Sequence, residues 1–334
     1  MPSTKQTVLI TGGAGYVGAA TAHALLAAGY RVVILDDLST GKSDTIPNGA
    51  SFIVGSYADS NRVADVIRDG RVDAILHCAA RSIVAESVAA PERYYRENLV
   101  AGIALLDTAL RTGVKQILLS SSAAVYGSAG RGPIDEEARL SPVNPYGATK
   151  VALEGALRFY AEAHGLRAVA LRYFNVAGST SKVRERHSPE THLIPLLVAA
   201  ARSGEPFKLF GDDYPTDDGS AVRDYVHVAD VADAHVAALA AIAALPNQRG
   251  LGAYLPVNIG SGRGTSVYEV IRAVERATGR PIDVEVEPRR PGDPARLVAD
   301  ISRAAKALSW RPKIGRAHRL NSSHSQQSRM PSSA

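Results

Sequence analysis

The sequence predicts an α/β chain: a doubly wound parallel sheet followed by a smaller α/β lobe. Three observations lead there. Short apolar runs at 7–11, 31–35, 51–54, 74–77, 116–120 and 167–171 alternate with helix-like stretches such as 15–28, 92–112 and 145–164. Repeated strand–helix alternation builds a parallel sheet with helices on both faces. The first run leads into three glycines, Gly12, Gly15 and Gly18, spaced Gly-x-x-Gly-x-x-Gly at a strand-to-helix turn. From about Asn175 the rhythm breaks into a polar loop at 178–190, a helix-like 193–202, short strands, a turn-rich 211–219 and a helix-like 229–244. This second half reads as a smaller lobe whose segments return to the first.

Length and composition narrow the class. A chain of 334 residues holds one large domain or two modest ones. Hydrophobic residues at 46% and charged residues at 21% exclude a disordered or collagen-like chain. No apolar run reaches the roughly 18 residues of a membrane helix, and the polar start 1–6 lacks the pattern of a secretory signal. The cytoplasm is the expected compartment, with no membrane partner. The single cysteine, Cys78, excludes an internal disulfide framework and a Cys-rich zinc site, and no metal is expected.

The net charge of +5 suggests an anionic partner. Its location decides what that means. Residues 314–334 carry three arginines, six serines and no acid, so 5 − 3 leaves +2 for residues 1–313. This stretch has no apolar period and resembles the translation of a sequencing-library adapter, so a non-native tail is expected there. With no basic helix or aromatic–basic platform in the sequence, nucleic acid is not an expected partner.

In chain order, the glycines come first. They permit a tight turn and a close backbone approach to a pyrophosphate at a helix N-terminus. Asp36 ends the second strand, 18 residues after Gly18, where a carboxylate accepts hydrogen bonds from ribose hydroxyls. It repels a 2′-phosphate, and Asp37 follows directly, so NAD is expected over NADP. His77 and Cys78 close the fourth strand in an apolar setting and read as packed residues, not as catalyst or nucleophile. Ser120-Ser121-Ser122 closes the fifth, at the strand end where open α/β sheets do chemistry. Tyr146 and Lys150 stand four apart at the start of the next helix and share a face. An ammonium near a phenol lowers the phenol pKa, which makes Tyr146 a candidate base and Ser122 its partner.

These stretches, with Leu171-Arg172-Tyr173-Phe174-Asn175, resemble the extended short-chain dehydrogenase/reductase family, from the N-terminus to about Pro312. Within that family, the segments 210–219, 222–228 and 288–293 are most similar to the UDP-glucose 4-epimerases, the first being the most distinctive. The resemblance implies a Rossmann-type NAD-binding domain at 1–174 and a substrate-binding lobe at 175–313. It implies an isomerase of galactose metabolism that interconverts UDP-glucose and UDP-galactose through a 4-keto sugar, with NAD recycled and a homodimer formed through the helices at 92–112 and 145–164.

By the same resemblance Ser122, Tyr146 and Lys150 are catalytic. Gly12, Gly15, Tyr16, Val17, Gly18, Asp36, Asp37, Ala79, Ala80, Asn98, Ser120, Tyr146, Lys150 and Tyr173 would hold NAD, Asn98 by supporting the active-site backbone. Ser122, Tyr146, Asn175, His192, Leu193, Lys208, Phe210, Arg223, Arg290 and Asp293 would hold the UDP-sugar: Asn175 and the two arginines at the diphosphate, Asp293 at the ribose, and the backbone around 208–210 at the uracil. Related dehydratases carry an Asp-Glu pair after the catalytic hydroxyl, and related decarboxylases a Glu. Ala123 and Ala124 stand there and move no proton.

Four residues depart from the family pattern. Ser56 replaces an adenine-contacting Asp, Ser82 a Lys of some members, and His192 an Asn of some relatives near the phosphates. Leu297 replaces a bulky Tyr beside the sugar, which implies room for an N-acetyl group. Two other readings stay open: an NAD-dependent epimerase of UDP-glucuronate or UDP-xylose, and a non-catalytic NAD-binding regulator.

Overall fold

The computed structural model describes residues 6–314 apart from 129, 131, 187–189, 248–250 and 291–292. The expected non-native tail beyond Ile314 thus lies outside the described residues. In the first half the chain runs β1 (Thr7–Thr11), α1 (Tyr16–Ala27), β2 (Arg31–Asp36), β3 (Ser51–Val54), α2 (Ser60–Gly70), β4 (Ala74–His77), α3 (Val84–Ala89), α4 (Pro91–Tyr94), α5 (Ala101–Thr112), β5 (Gln116–Ser122), α6 (Pro145–His164) and β6 (Arg167–Tyr173). There follow β7 (Asn175–Ala177), α7 (Leu193–Ser203), β8 (Phe207–Phe210), β9 (Val222–His227), α8 (Val228–Ile242), β10 (Ala253–Ile259), β11 (Gly264–Ser266), α9 (Val267–Thr278), β12 (Val284–Glu287), β13 (Arg296–Leu297) and α10 (Ser302–Ala307).

The central sheet is parallel in the order β10-β6-β5-β4-β1-β2-β3. Its two faces follow from the two-residue period of a strand. Val8, Ile10, Val32, Ile34, Leu76, Leu118, Val169, Leu171, Val257 and Ile259 pack against Leu25 of α1 and Val231, Ala238 and Ile242 of α8. The intervening Leu9, Val33, Leu35, Ile75, Ile117, Leu119, Ala168 and Ala170 pack on the other side against Val63 and Ile67 of α2, Leu105 and Ala109 of α5, and Leu153 and Leu157 of α6. Both faces are covered, so the strands read as continuous apolar runs. The strand order reverses between β1 and β4, and the crevice outside their C-terminal ends is where such sheets bind ligands.

Two of the differences from the sequence expectation have a plain physical reason. The stretch 92–112 is not one regular helix: a π-helical segment, Tyr95–Val100, separates α4 from α5. Asn98 sits within it, and its side chain holds the backbone of Arg81. π-Turns of this kind collect at functional sites. The second difference is β10, a strand that carries Pro256 and that the sequence expectation lacks. Proline is tolerated on an edge strand, and β10 is the edge of the sheet.

The remaining segments form two small sheets. β11, β9 and β13 pair with one another, β7 joins β9, and β12 pairs with β8. A separate core of Leu197 and Ala201 from α7 with Val270, Ile271 and Val274 from α9 supports them. Among the described residues no helix is long and apolar enough to cross a membrane.

Candidate active site

The glycine turn is built by exclusion of side chains. Gly12 has φ +74°, and a Cβ there would stand 2.5 Å from the Ala79 backbone nitrogen after β4. A Cβ on Gly18 would run into the Gly12 carbonyl oxygen. Gly15 caps α1 without a side-chain hydrogen bond, and the first turn holds no acid. The positive end of α1 is therefore uncompensated and open to an anion. Asp36 joins this turn from β2, with one carboxylate oxygen accepting from Ala14 N–H (2.9 Å) and the other from Leu38 N–H (2.8 Å). Burial pushes its carboxyl up, while the two backbone donors pull it back. Asp37 is exposed beside it and accepts from Ser39 N–H. The Tyr16 hydroxyl donates to the Gly178 carbonyl at 2.5 Å.

The catalytic candidates meet where β5 ends and α6 begins. Asn144 caps α6 by accepting from Gly147 N–H (2.8 Å), with Pro145 in the first turn. That start places Tyr146 and Lys150 on successive turns facing the end of β5. Ser122 accepts from Ala124 N–H and, from beside Tyr146, pulls the phenol pKa down. The Lys150 ammonium donates to the Ser120 carbonyl at 2.8 Å and stands 5.9 Å from the Tyr146 ring centroid.

The expected lowering of the Tyr146 phenol by Lys150 is not what the protein alone does. Burial raises the phenol pKa, and the opposing pull comes from Ser122. Burial also brings the Lys150 ammonium down to about 8, against upward pushes from Cys78 and Glu154. His77 and Cys78 behave as packed residues. Burial takes the imidazole down to about 3 and the thiol up to about 11. The Tyr173 hydroxyl hydrogen-bonds Ser120 (2.9 Å) and His235.

The other wall comes from the second half. Arg223 pairs with Asp293 and donates to the Val222 carbonyl. The Arg290 guanidinium stacks over Phe210 at 3.9 Å from the ring centroid. Lys208 pairs with Glu287 at 2.9 Å. His192 and Leu193 open α7, and the His192 ring meets Glu190 at 2.8 Å and Glu185 at 3.2 Å.

One cavity of about 1880 Å³ gathers all but one of the residues singled out from the sequence, including Val17, Ala79, Ala80 and Asn175. Ser56, Ser82, Ala123, Ala124 and Leu297 also line it. Asn98 is the exception. It is buried behind the wall, accepts from Arg81 N–H (2.8 Å) and donates to the Arg81 carbonyl (3.0 Å). It shapes the loop that lines the cavity and does not reach the cavity itself. The volume exceeds the roughly 300–1,000 Å³ of a single-ligand pocket and suits two ligands side by side.

Sequence reasoning missed Tyr94. Its buried ring stands edge-on to Tyr146, 6.5 Å between centroids, and its hydroxyl donates to the Ile83 carbonyl at 2.6 Å. Nothing in the helical period marks it. Phe174, buried in the cavity wall, was passed over although it lies inside the quoted Leu171–Asn175 stretch.

Fold and cavity together define a Rossmann-type α/β enzyme. The chain belongs to the NAD dependent epimerase/dehydratase family, whose profile matches residues 8–260. A UDP-glucose 4-epimerase of Corynebacterium glutamicum is 44% identical over 307 residues, covering 92% of this chain and 91% of the relative. The crystal structure of UDP-glucose 4-epimerase from Brucella ovis in complex with NAD superposes with a TM-score of 0.89 at 40% identity, over 95% of this chain and 97% of that one. The Bifidobacterium longum enzyme in complex with NAD+ and UDP superposes with a TM-score of 0.87 at 35% identity, over 95% and 97% of the two chains.

Proposed function

We propose that this chain is an NAD-dependent UDP-glucose 4-epimerase, interconverting UDP-glucose and UDP-galactose. One observation carries the reading. Ser122, Tyr146 and Lys150 line a cavity with room for two nucleotides, beside Ala123 and Ala124, which supply no acid for elimination. The close relatives named above support it.

The residues present fit NAD. The Gly12 turn is a cradle that a Cβ would fill, the start of α1 offers free N–H groups, and Asp36 reaches the same turn. We assign 1–174 to the cofactor domain and 175–313 to the substrate lobe. Bound there, NAD would supply the hydride acceptor, and then the donor, for C4 of the sugar. Tyr146 takes the proton of the 4-hydroxyl and later gives it back, with Ser122 holding that hydroxyl. Lys150 keeps a buried positive charge beside the developing phenolate. Arg223 and Arg290 neutralise the diphosphate with Asn175 and the start of α7, and Asp293 takes the ribose. The width of the cavity lets the 4-keto sugar turn and present its other face.

Leu297 on the cavity wall leaves space for an N-acetyl group, so UDP-N-acetylglucosamine joins the substrate range. We also assign a cytoplasmic homodimer. Val88, Tyr95, Val100 and Phe159 are exposed on α3, the π-helical segment and α6, which pack beside one another. Apolar side chains grouped in this way favour a second copy.

Product analysis tests the substrate assignment. The protein is incubated separately with UDP-glucose, UDP-N-acetylglucosamine, UDP-glucuronate and UDP-xylose. Epimers of the first two are expected. Turnover of the uronate or pentose alone would overturn the assignment.

A further inference from the structure

We propose that Glu154 is a positioning residue for this reaction: its buried carboxylate ties the catalytic end of β5 to α6 through Ser121 and sets a negative charge one helical turn from Lys150. The inference rests on the epimerase reading above and adds a residue that no motif used there contains.

Tyr146, Lys150 and Glu154 are spaced four apart on α6 and share one face. The first two face the cavity. Glu154 lies deeper, 2% exposed, against Arg172 of β6 at 3%. Its carboxylate accepts from three strands. Arg172 donates with Nε at 3.1 and 3.2 Å and with a terminal nitrogen at 2.7 Å. The Tyr254 hydroxyl of β10 donates at 2.7 Å and the Ser121 hydroxyl of β5 at 2.5 Å. Ser121 lies between Ser120, whose carbonyl holds Lys150, and Ser122, which acts on the Tyr146 phenol. The Glu154–Ser121 bond therefore sets the spacing between the strand carrying Ser122 and the helix carrying Tyr146.

Stability alone accounts poorly for this arrangement. Apolar residues of similar volume commonly match or exceed a buried ion pair in stability. What they cannot supply is a fixed anion near Lys150. The groups facing Lys150 are Cys78 and His77 from the end of β4, Tyr146 and Glu154 from its own helix, and Arg172 behind Glu154. The thiol, the imidazole and the phenol are neutral near pH 7, given the directions in which burial shifts them. Glu154, ion-paired with Arg172, is the carboxyl group nearest in this set, and it works against the burial that lowers the Lys150 pKa.

The test uses full-length protein labelled at lysine carbons, with Lys150 titrated by NMR and kcat followed against pH. Glu154→Gln is expected to lower the Lys150 midpoint by about one pH unit and to move the alkaline limb of kcat the same way. Ser121→Ala keeps the charge and removes the tie. It is expected to lower kcat about tenfold, with KM within about twofold and the Lys150 midpoint unmoved. A folded Glu154→Gln protein with a wild-type Lys150 midpoint, or Ser121→Ala with wild-type kcat, would overturn the proposal. Should Glu154→Gln fail to fold, Ser121→Ala decides the matter by itself. An inactive wild type whose Lys150 midpoint still shifts in Glu154→Gln counts against the epimerase reading alone.

Discussion

Lys150 is a buried cation on the edge of losing its charge. Burial sets its pKa near 8 against an ordinary 10.5. The charged form is the one that steadies a phenolate, so kcat should hold below pH 8 and fall as pH rises through it. The stability effect has the opposite sign. Between pH 8 and 10.5 the unfolded chain keeps the proton that the folded one has lost, so stability from this group rises across that window, by on the order of 3 kcal/mol in the cofactor-free protein. Parallel pH profiles of kcat and of urea midpoint check both directions. Asp36 accepts from Ala14 and Leu38 N–H, and on the proposed reading its remaining lone pairs take a ribose. Asp36→Ala should weaken NAD binding about tenfold or more, as loss of charge-assisted bonds does, and calorimetric titration reads it.

At the scale of elements, the glycine turn and the α6 cap do the positioning. Gly18→Ala would force the turn open, since its Cβ meets the Gly12 carbonyl oxygen. The purified variant should carry little or no NAD, measured by absorbance after acid release. β1, β3 and β4 were legible to the residue because each is a short apolar run bounded by turn residues. Other features hide for physical reasons. Pro256 disguises β10, because only its place at the sheet edge makes a proline acceptable. The π-helical segment 95–100 keeps a helical sequence period, and the contact that Asn98 makes from within it, to the Arg81 backbone, lies 17 residues away in the chain. α9 could have been found from its capping box, in which Ser266 accepts from Glu269 N–H and Glu269 accepts from Ser266 N–H. Glu154 could not, since Arg172 and Tyr254 stand 18 and 100 residues away in the chain.

Across the whole molecule, the second half returns to complete the first. β10 extends the central sheet and α8 packs against α1, while Asp293, Arg223 and Arg290 close the cavity from the other side. On the proposed reading the two nucleotides share one cleft, and the +5 charge of the sequence reduces to +2 over residues 1–313. If α3, the π-helical segment and α6 bury their apolar residues against a second copy, Val100→Asp combined with Phe159→Asp should yield monomers in sedimentation equilibrium while NAD binding persists. The central claim is that Tyr146 moves the proton while a bound dinucleotide is recycled. The direct test is conversion of UDP-galactose to UDP-glucose by purified NAD-loaded protein with no NAD added, beside Tyr146→Phe. Steady conversion by the wild type and a loss of about 10²–10⁴-fold in the variant are predicted. Equal rates in the two proteins, or no conversion by wild type that retains NAD, would contradict it.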